Sequence, residues 1–101
     1  MRIYLDDERS PKVEQFDHLI RTPLHFKLLV SKLRSVSYIS FDHDLGSIQT
    51  GYDCAKWLVR YDMSNGILAP GFTFNVHSAN PVGATNIRNY LNNYLEHKCT
   101  S

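Results

Sequence analysis

The chain has 101 residues, of which 43% are hydrophobic and 21% charged, a composition typical of one globular domain with one core, here predicted over residues 1–101. Its formal net charge of +1 argues against binding to duplex DNA, because such binding requires a strongly basic surface. Every apolar run is shorter than the roughly 20 residues of a membrane span, and no signal-peptide pattern is present, so we expect a cytoplasmic protein that does not contact membranes.

The first predicted elements are two short strands and a helix. Arg2 to Leu5 is an apolar run that charged residues interrupt, as expected of a buried strand that ends at a loop. His18 to Arg21 predicts a second short strand. A helix is predicted from about Pro23 to Arg34, because Thr22 suits the N-cap and apolar residues then recur at helical spacing.

The second half of the chain repeats this alternation. Tyr38 to Phe41 predicts a β-branched and aromatic strand, and a helix follows from about Tyr52 to Asp62. Met63 to Gly71 reads as a loop because it contains two glycines and a proline. Phe72 to Val76 predicts the last strand, and the Asn80-Pro81 capping signal begins a terminal helix that runs to about His97.

Strands that alternate with helices predict a parallel sheet with right-handed crossovers. We therefore expect an α/β fold, a small flavodoxin-like three-layer sandwich with a four-stranded parallel sheet in the order 2-1-3-4. Ligands bind such sheets in the crevice at the carboxyl ends of the strands, where the strand order reverses. In this order the crevice lies between the strand that precedes Asp6 and the strand that precedes Asp42.

Two adjacent carboxylates, Asp6 and Asp7, follow the first strand. Because adjacent carboxylates repel each other unless a cation or hydrogen-bond donors stabilise them, this pair at a strand end indicates Mg²⁺ or Mn²⁺, which prefer oxygen ligands. The alternative is that the pair caps a turn and forms a salt bridge with Arg9. Both interpretations stay open at this point.

Three ionisable residues in a row, Asp42, His43 and Asp44, follow the third strand. Stability does not account for them easily, since an unpaired charge at the end of a buried strand is costly. A histidine between carboxylates is a usable general acid or base, and here Asp44 would orient His43. The alternative is a solvated turn before Gly46.

The segment from His77 to Gly83 combines an imidazole, the Ser78 hydroxyl and the start of a helix. His77 is a candidate catalytic residue, and Ser78 is a weaker candidate. Free backbone N–H groups and the helix dipole make a helix start a natural anion site, although Asn80 also serves as its N-cap. The candidate phosphate-binding groups are Arg21, which ends the second strand, together with Asn80, Val82 and Gly83.

Three motifs in this order, LDDERSP, FDHDLGSIQTGYD and VHSANPVG, resemble the receiver-like family described as cyclic-phosphate-processing receivers. The resemblance spans roughly residues 3–95 and implies a flavodoxin-like fold. It also implies a role in processing nucleotides or nucleic-acid ends that carry cyclic phosphates.

A more distant resemblance is to response-regulator receivers, in which such carboxylates hold Mg²⁺ around a phosphorylated aspartate. Asp6, Asp7 and Asp42 match the acidic positions, and Ser78 matches the hydroxyl position after the next strand. The predicted elements include no fifth strand and no lysine for the remaining receiver position, which argues against a phosphorelay role.

We therefore expect a small phosphodiesterase-type hydrolase that acts on a cyclic nucleotide or a cyclic-phosphate nucleotide end. Asp6, Asp7 and Asp42 would bind a divalent ion, and His77 and His43 would act as acid and base. One alternative is a non-catalytic protein that sequesters a cyclic nucleotide, as a phage might use against host signalling, with a homodimer supplying a further pocket wall. A degenerate receiver that acts through protein contacts is a weaker alternative.

Overall fold

The computed structural model describes residues 1–11, 15–46 and 48–100, the side chains of the last two excepted. Its elements, in chain order, are β1 (Arg2–Leu5), β2 (His18–Ile20), α1 (Pro23–Lys32), β3 (Val36–Phe41), α2 (Gly51–Asn65), β4 (Leu68–Val76) and α3 (Pro81–Thr100). The strands form one parallel sheet in the order β2-β1-β3-β4. The predicted flavodoxin-like α/β fold and the strand order 2-1-3-4 are confirmed.

The register of the sheet aligns the ends of three neighbouring strands. Leu5 of β1 pairs with Phe41 of β3, and Phe41 in turn pairs with Val76 of β4. Asp42 N–H donates to the Leu5 carbonyl at 2.9 Å, and His77 N–H donates to the Phe41 carbonyl at 2.9 Å. Residues 6, 42 and 77 therefore lie side by side at the carboxyl edge of the sheet.

The helices lie side by side on one face of the sheet, with α2 packed between α1 and α3. This face buries the alternate strand residues, and Ile3, Leu5, Ile39 and Phe41 are fully buried. The described part of the β1–β2 connection lies against the other face, where the Phe16 ring packs on Tyr4 and Tyr38. Among the described residues, the layer on this second face of the sheet is therefore a loop segment and not a helix. No described helix is both long and apolar enough to cross a membrane.

The predicted loop from Met63 to Gly71 is much shorter in the structure, since α2 continues to Asn65 and β4 begins at Leu68. Gly66 ends α2 because its φ of 62° lies in the left-handed region that suits glycine. Pro70 is tolerated inside β4 because β4 is an edge strand, where a missing N–H can face outwards.

Helices α1 and α3 start where predicted, at Pro23 and Pro81, and the remaining helix boundaries differ from the prediction by one to three residues. The start of α2 at Gly51 follows from a capping box, in which Thr50 and Asp53 bond to each other's backbone N–H groups. The Thr22 side chain accepts the His25 N–H at the start of α1, as expected of an N-cap. Because α1 follows β2 and α2 follows β3, both helices begin on the side of the sheet where the strands end.

Candidate active site at the carboxyl edge of the sheet

Asp6 is fully buried and uses both of its carboxylate oxygens. Oδ1 accepts the backbone N–H groups of Glu8 at 2.9 Å and Arg9 at 2.8 Å, while Oδ2 accepts Arg9 Nε at 2.8 Å and His77 Nε2 at 3.0 Å. Burial alone raises the Asp6 pKa, but these donors and the Arg9 charge together hold that pKa below its usual value. Asp6 is therefore ionised near neutral pH and organises the loop after β1.

The Arg9 guanidinium lies between two carboxylates of the site. Besides its bond to Asp6, its Nη2 lies 3.4 Å from Asp42 Oδ1. Asp42 is buried and also accepts the backbone N–H of His43 at 2.9 Å. Asp6 thus has both features of the alternative considered for the Asp6–Asp7 pair: it caps the turn after β1, and it forms a salt bridge with Arg9.

A cleft of about 350 Å³ opens beside this ion pair. Its described lining combines five carboxylates with one guanidinium, and the residues are Asp6, Asp7, Glu8, Arg9, Asp42, Asp44, Gly46 and Ala79. Gly46 has a φ of 64°, and a Cβ atom there would lie only 3.0 Å from Asp7 Oδ2. Neither Asp7 nor Asp44 makes a hydrogen bond or ion pair with another described residue. The cleft therefore has carboxylates available for a ligand.

His77 is held on three sides. Its Nε2 bonds Asp6 Oδ2, its Nδ1 lies 2.7 Å from Ser40 Oγ, and its ring stacks on Tyr4 with 4.5 Å between centroids and an interplanar angle of 4°. Because the ionised Asp6 carboxylate can only accept, His77 Nε2 carries a proton and donates it to this hydrogen bond. The side chain is 16% exposed. The ring orientation is thus fixed.

The His43 ring packs against Gly83 at the start of α3, and His43 is not among the residues that line the acidic cleft. A Cβ atom on Gly83 would stand 2.2 Å from His43 Cγ, so only glycine leaves room for this ring. His43 Nδ1 is buried and has no partner among the described residues, which leaves Nε2 as the nitrogen available for proton transfer. No hydrogen bond joins the Asp44 and His43 side chains in the described part of the chain.

The start of α3 is capped internally. Asn80 Oδ1 accepts the Gly83 N–H at 3.0 Å, and the Asn80 carbonyl accepts the Ala84 N–H at 2.9 Å. Ser78 Oγ accepts the Asn80 N–H at 3.1 Å, so this hydroxyl supports the turn before the helix. Asn80 is therefore the N-cap, as predicted. Val82 is 70% exposed, and the Gly83 amide predicted to bind phosphate already has a partner.

Arg21 anchors the loop that follows β1. Its Nη1 donates to the carbonyls of Asp6, at 3.1 Å, and of Arg9, and its Nη2 donates to Ser10 Oγ at 3.1 Å. The side chain reaches the carboxyl edge of the sheet, where the sequence placed it. Its donors bond the protein's own backbone there.

A comparison with models of known protein families identifies the family of this chain. The profile of the cyclic-phosphate processing receiver domain matches residues 1–93, most of the chain. The chain belongs to this family. No curated protein and no solved structure matches it.

The donor atoms of this receiver domain fit a divalent cation. Single ligand atoms of Asp6, Asp42 and His77 lie within 4.8 Å of one another. Carboxylates with an imidazole suit Mn²⁺, and carboxylates alone suit Mg²⁺. The sequence analysis predicted Asp7, and not His77, as the third ligand of the ion, and in the structure Asp7 lines the cleft beside this cluster. Any ion bound by Asp6 and Asp42 must compete with Arg9 for their oxygens.

Sequence reasoning missed two residues of the receiver domain's site, Ser40 and Tyr4. Ser40 is 2% exposed and interrupts an otherwise apolar run in β3, and a lone hydroxyl in a central strand is a usable signal of a buried hydrogen bond. Tyr4 has no such signal, because its stacking on His77 depends on the lateral register of β1, β3 and β4.

Proposed function

We propose that this receiver domain is a hydrolase that opens a phosphodiester bond in a cyclic nucleotide or in a cyclic-phosphate nucleotide end. The observation that carries the proposal is the acidic cleft, in which Asp7 and Asp44 have no described partner, beside a histidine held in a fixed orientation. Membership of a family tied to cyclic-phosphate processing supports the substrate class.

The carboxylates have the task of holding a divalent ion. Asp6 and Asp42 would hold it together with Asp7, which lines the same cleft, and the ion when bound would stabilise negative charge on the phosphoryl oxygens. The Ser78 hydroxyl and the exposed Val82 lie at the start of α3, where a phosphate would gain from the helix dipole.

The histidines have the task of moving protons. Ring opening adds one water: its oxygen bonds to phosphorus, the bond from phosphorus to one ribose oxygen breaks, and a proton passes to that oxygen. We assign the acid role to His77, whose Nε2 lies beside Asp6, a residue that lines the cleft. We assign the base role to His43, which takes the water's proton at Nε2.

A second function, binding without cleavage, is favoured by two observations on the histidines. Both ring nitrogens of His77 already have hydrogen-bond partners, and neither histidine is part of the cleft lining. A domain with these features can bind a cyclic nucleotide without cleaving it, as a sequestering protein of a phage would. A degenerate receiver that acts through protein contacts would bind no nucleotide at all.

The decisive experiment is chromatography of a nucleotide panel after incubation with the protein. The panel contains 3′,5′-cyclic and 2′,3′-cyclic mononucleotides, cyclic dinucleotides and an RNA with a 2′,3′-cyclic phosphate end, each with added Mn²⁺ or with EDTA. We expect a ring-opened product that EDTA suppresses. Intact nucleotide recovered from the denatured protein would instead establish the binder.

A matched pair of variants tests where the reaction takes place. Asp42→Asn removes one negative charge from the site, and Glu96→Gln removes one from an exposed position far along α3. We expect loss of turnover in Asp42→Asn and normal turnover in Glu96→Gln. Equal turnover in both variants would place the chemistry elsewhere.

A further inference from the structure

The Arg9 guanidinium is the cation that the site carboxylates hold in this structure. Arg9 Nε bonds Asp6 Oδ2 at 2.8 Å, and Arg9 Nη2 lies 3.4 Å from Asp42 Oδ1. Both carboxylates are buried, whereas the Arg9 side chain is 50% exposed. Buried carboxylates need a positive partner, but this partner is at the surface and free to leave when another cation replaces it.

We propose that Arg9 and a divalent cation are alternative partners of Asp6 and Asp42, and that the displaced Arg9 binds the phosphate of the substrate. This inference rests on the proposed function, because it takes the cation and the phosphate ligand from there. A guanidinium released into the cleft can contact two phosphate oxygens at once. Arg9 is then a phosphate-binding residue that becomes available when the cation binds.

The loop that carries Arg9 can keep its shape while the side chain moves. Asp6 Oδ1 holds the backbone N–H groups of Glu8 and Arg9, and neither bond involves the Arg9 side chain. Arg21 holds the same loop through the Asp6 and Arg9 carbonyls and Ser10 Oγ. Exchange of partners therefore requires only a change of side-chain rotamer.

The exchange couples the two ligands. A cation that removes Arg9 from the carboxylates makes Arg9 available to phosphate, and phosphate that binds Arg9 leaves the carboxylates open to the cation. By thermodynamic linkage each ligand must strengthen the other by the same factor. Without the Arg9 guanidinium this mutual effect disappears, and the cation binds without a competitor.

The first measurement is the affinity for Mn²⁺ alone, from the electron paramagnetic resonance signal of free Mn²⁺. Arg9→Met removes the charge and keeps the length of the side chain, and Arg60→Met makes the same change at an exposed position on α2. We expect Arg9→Met to bind Mn²⁺ at least about fivefold more tightly, the lower end of usual coupling between sites. Arg60→Met should match the parent protein, and Arg9→Lys should lie between them.

The second measurement is the affinity for inorganic phosphate with and without Mn²⁺. We expect Mn²⁺ to tighten phosphate binding in the parent protein and to have little effect in Arg9→Met. The fold of Arg9→Met is checked by thermal unfolding, in which Mn²⁺ should raise the midpoint more for this variant than for the parent.

Unchanged or weaker Mn²⁺ binding in Arg9→Met overturns the inference, and so does the absence of Mn²⁺ binding in every variant. The proposed function has a separate test, since nucleotide turnover is measured on the parent protein. Tighter Mn²⁺ binding in Arg9→Met, with no turnover by the parent protein, would support the exchange and exclude the proposed hydrolase activity. Turnover by the parent protein together with unchanged Mn²⁺ binding in Arg9→Met would support the hydrolase and exclude the exchange.

Discussion

His77 Nε2 lies 3.0 Å from Asp6 Oδ2, although 71 positions separate the two residues in the chain. The contact joins the end of β4 to the end of β1 across the end of β3, and it exists because parallel register brings the three strand ends together. Since Asp6 also binds Arg9 through the same oxygen, the three side chains form one hydrogen-bonded unit. Substitutions within it should therefore have non-additive effects.

Asp42→Asn should abolish turnover and leave the fold intact. The amide oxygen of asparagine can still accept the His43 N–H, so the backbone turn keeps its support. We expect a loss of stability below about 1 kcal/mol, because one neutral hydrogen bond replaces a charged one. Denaturant unfolding and turnover of the folded protein are measured together. Normal turnover by a folded Asp42→Asn protein would show that Asp42 is structural.

Ser40→Ala should weaken the positioning of His77 without removing the ring. The substitution deletes the hydrogen bond at Nδ1 and leaves the bond to Asp6 and the stacking on Tyr4. We expect a loss of about fivefold in the rate, the equivalent of one hydrogen bond near 1 kcal/mol. Ser37→Ala is the control, since Ser37 is an exposed residue on the same strand. A loss as large as that of His77→Ala would mean that Ser40 contacts the substrate.

The placement of Asp6, Asp42 and His77 could be predicted from the sequence, because apolar runs define where parallel strands end. Their bonding partners could not. The acidic pair allowed either a metal or an Arg9 salt bridge, and only side-chain geometry shows that Asp6 makes the salt bridge while Asp7 lines the cleft. The prediction that Pro70 and Gly71 lie in a loop was wrong, since both belong to β4. Local composition does not reveal that β4 is an edge strand, where a proline is tolerated.

Asp62→Asn should reduce stability, most strongly near neutral pH. Asp62 is buried and accepts the Leu68 N–H, the Tyr94 hydroxyl and Lys98 Nζ. Burial raises the Asp62 pKa, but these donors more than offset it and hold that pKa below its usual value. Burial and the Asp62 hydrogen bond raise the pKa of Tyr94 to about 12. The stability that the Asp62 carboxylate contributes is thus present above the unfolded pKa, about 3.9, and is lost as pH falls through the lower folded pKa.

Denaturant unfolding measures this difference. We expect Asp62→Asn to cost about 2 kcal/mol at about pH 7, the scale of a lost charged hydrogen bond, and less at about pH 3. Asp44→Asn is the control, since that exposed carboxylate has no described partner and should change stability by less than about 0.5 kcal/mol. A cost that does not vary with pH would show that the Asp62 charge contributes nothing.

Gly83→Ala should displace the His43 ring. The added methyl would stand 2.2 Å from His43 Cγ, and the ring cannot stay where it is at that distance. We expect a loss of roughly 1–3 kcal/mol, as for other overpacked sites, together with a shift of the His43 ring resonances in NMR spectra. Asn86→Ala, at an exposed position on α3, should leave both unchanged. Unshifted His43 resonances in Gly83→Ala would contradict the packing of this ring on α3.

His77→Ala separates an enzyme from a binder. If His77 and His43 act as acid and base, the rate of the parent protein should depend on pH as a bell, because one ring must be charged and the other neutral. Removing His77 should then lower the rate by about 10²-fold or more, the usual scale for a general acid or base, with a smaller loss in nucleotide affinity. Turnover is measured across the pH range, and nucleotide affinity is measured by calorimetry on the same preparations. Equal losses in rate and affinity would make the ring a binding contact and leave Asp44 as the next candidate acid. No loss in either would exclude the segment after β4 from the site.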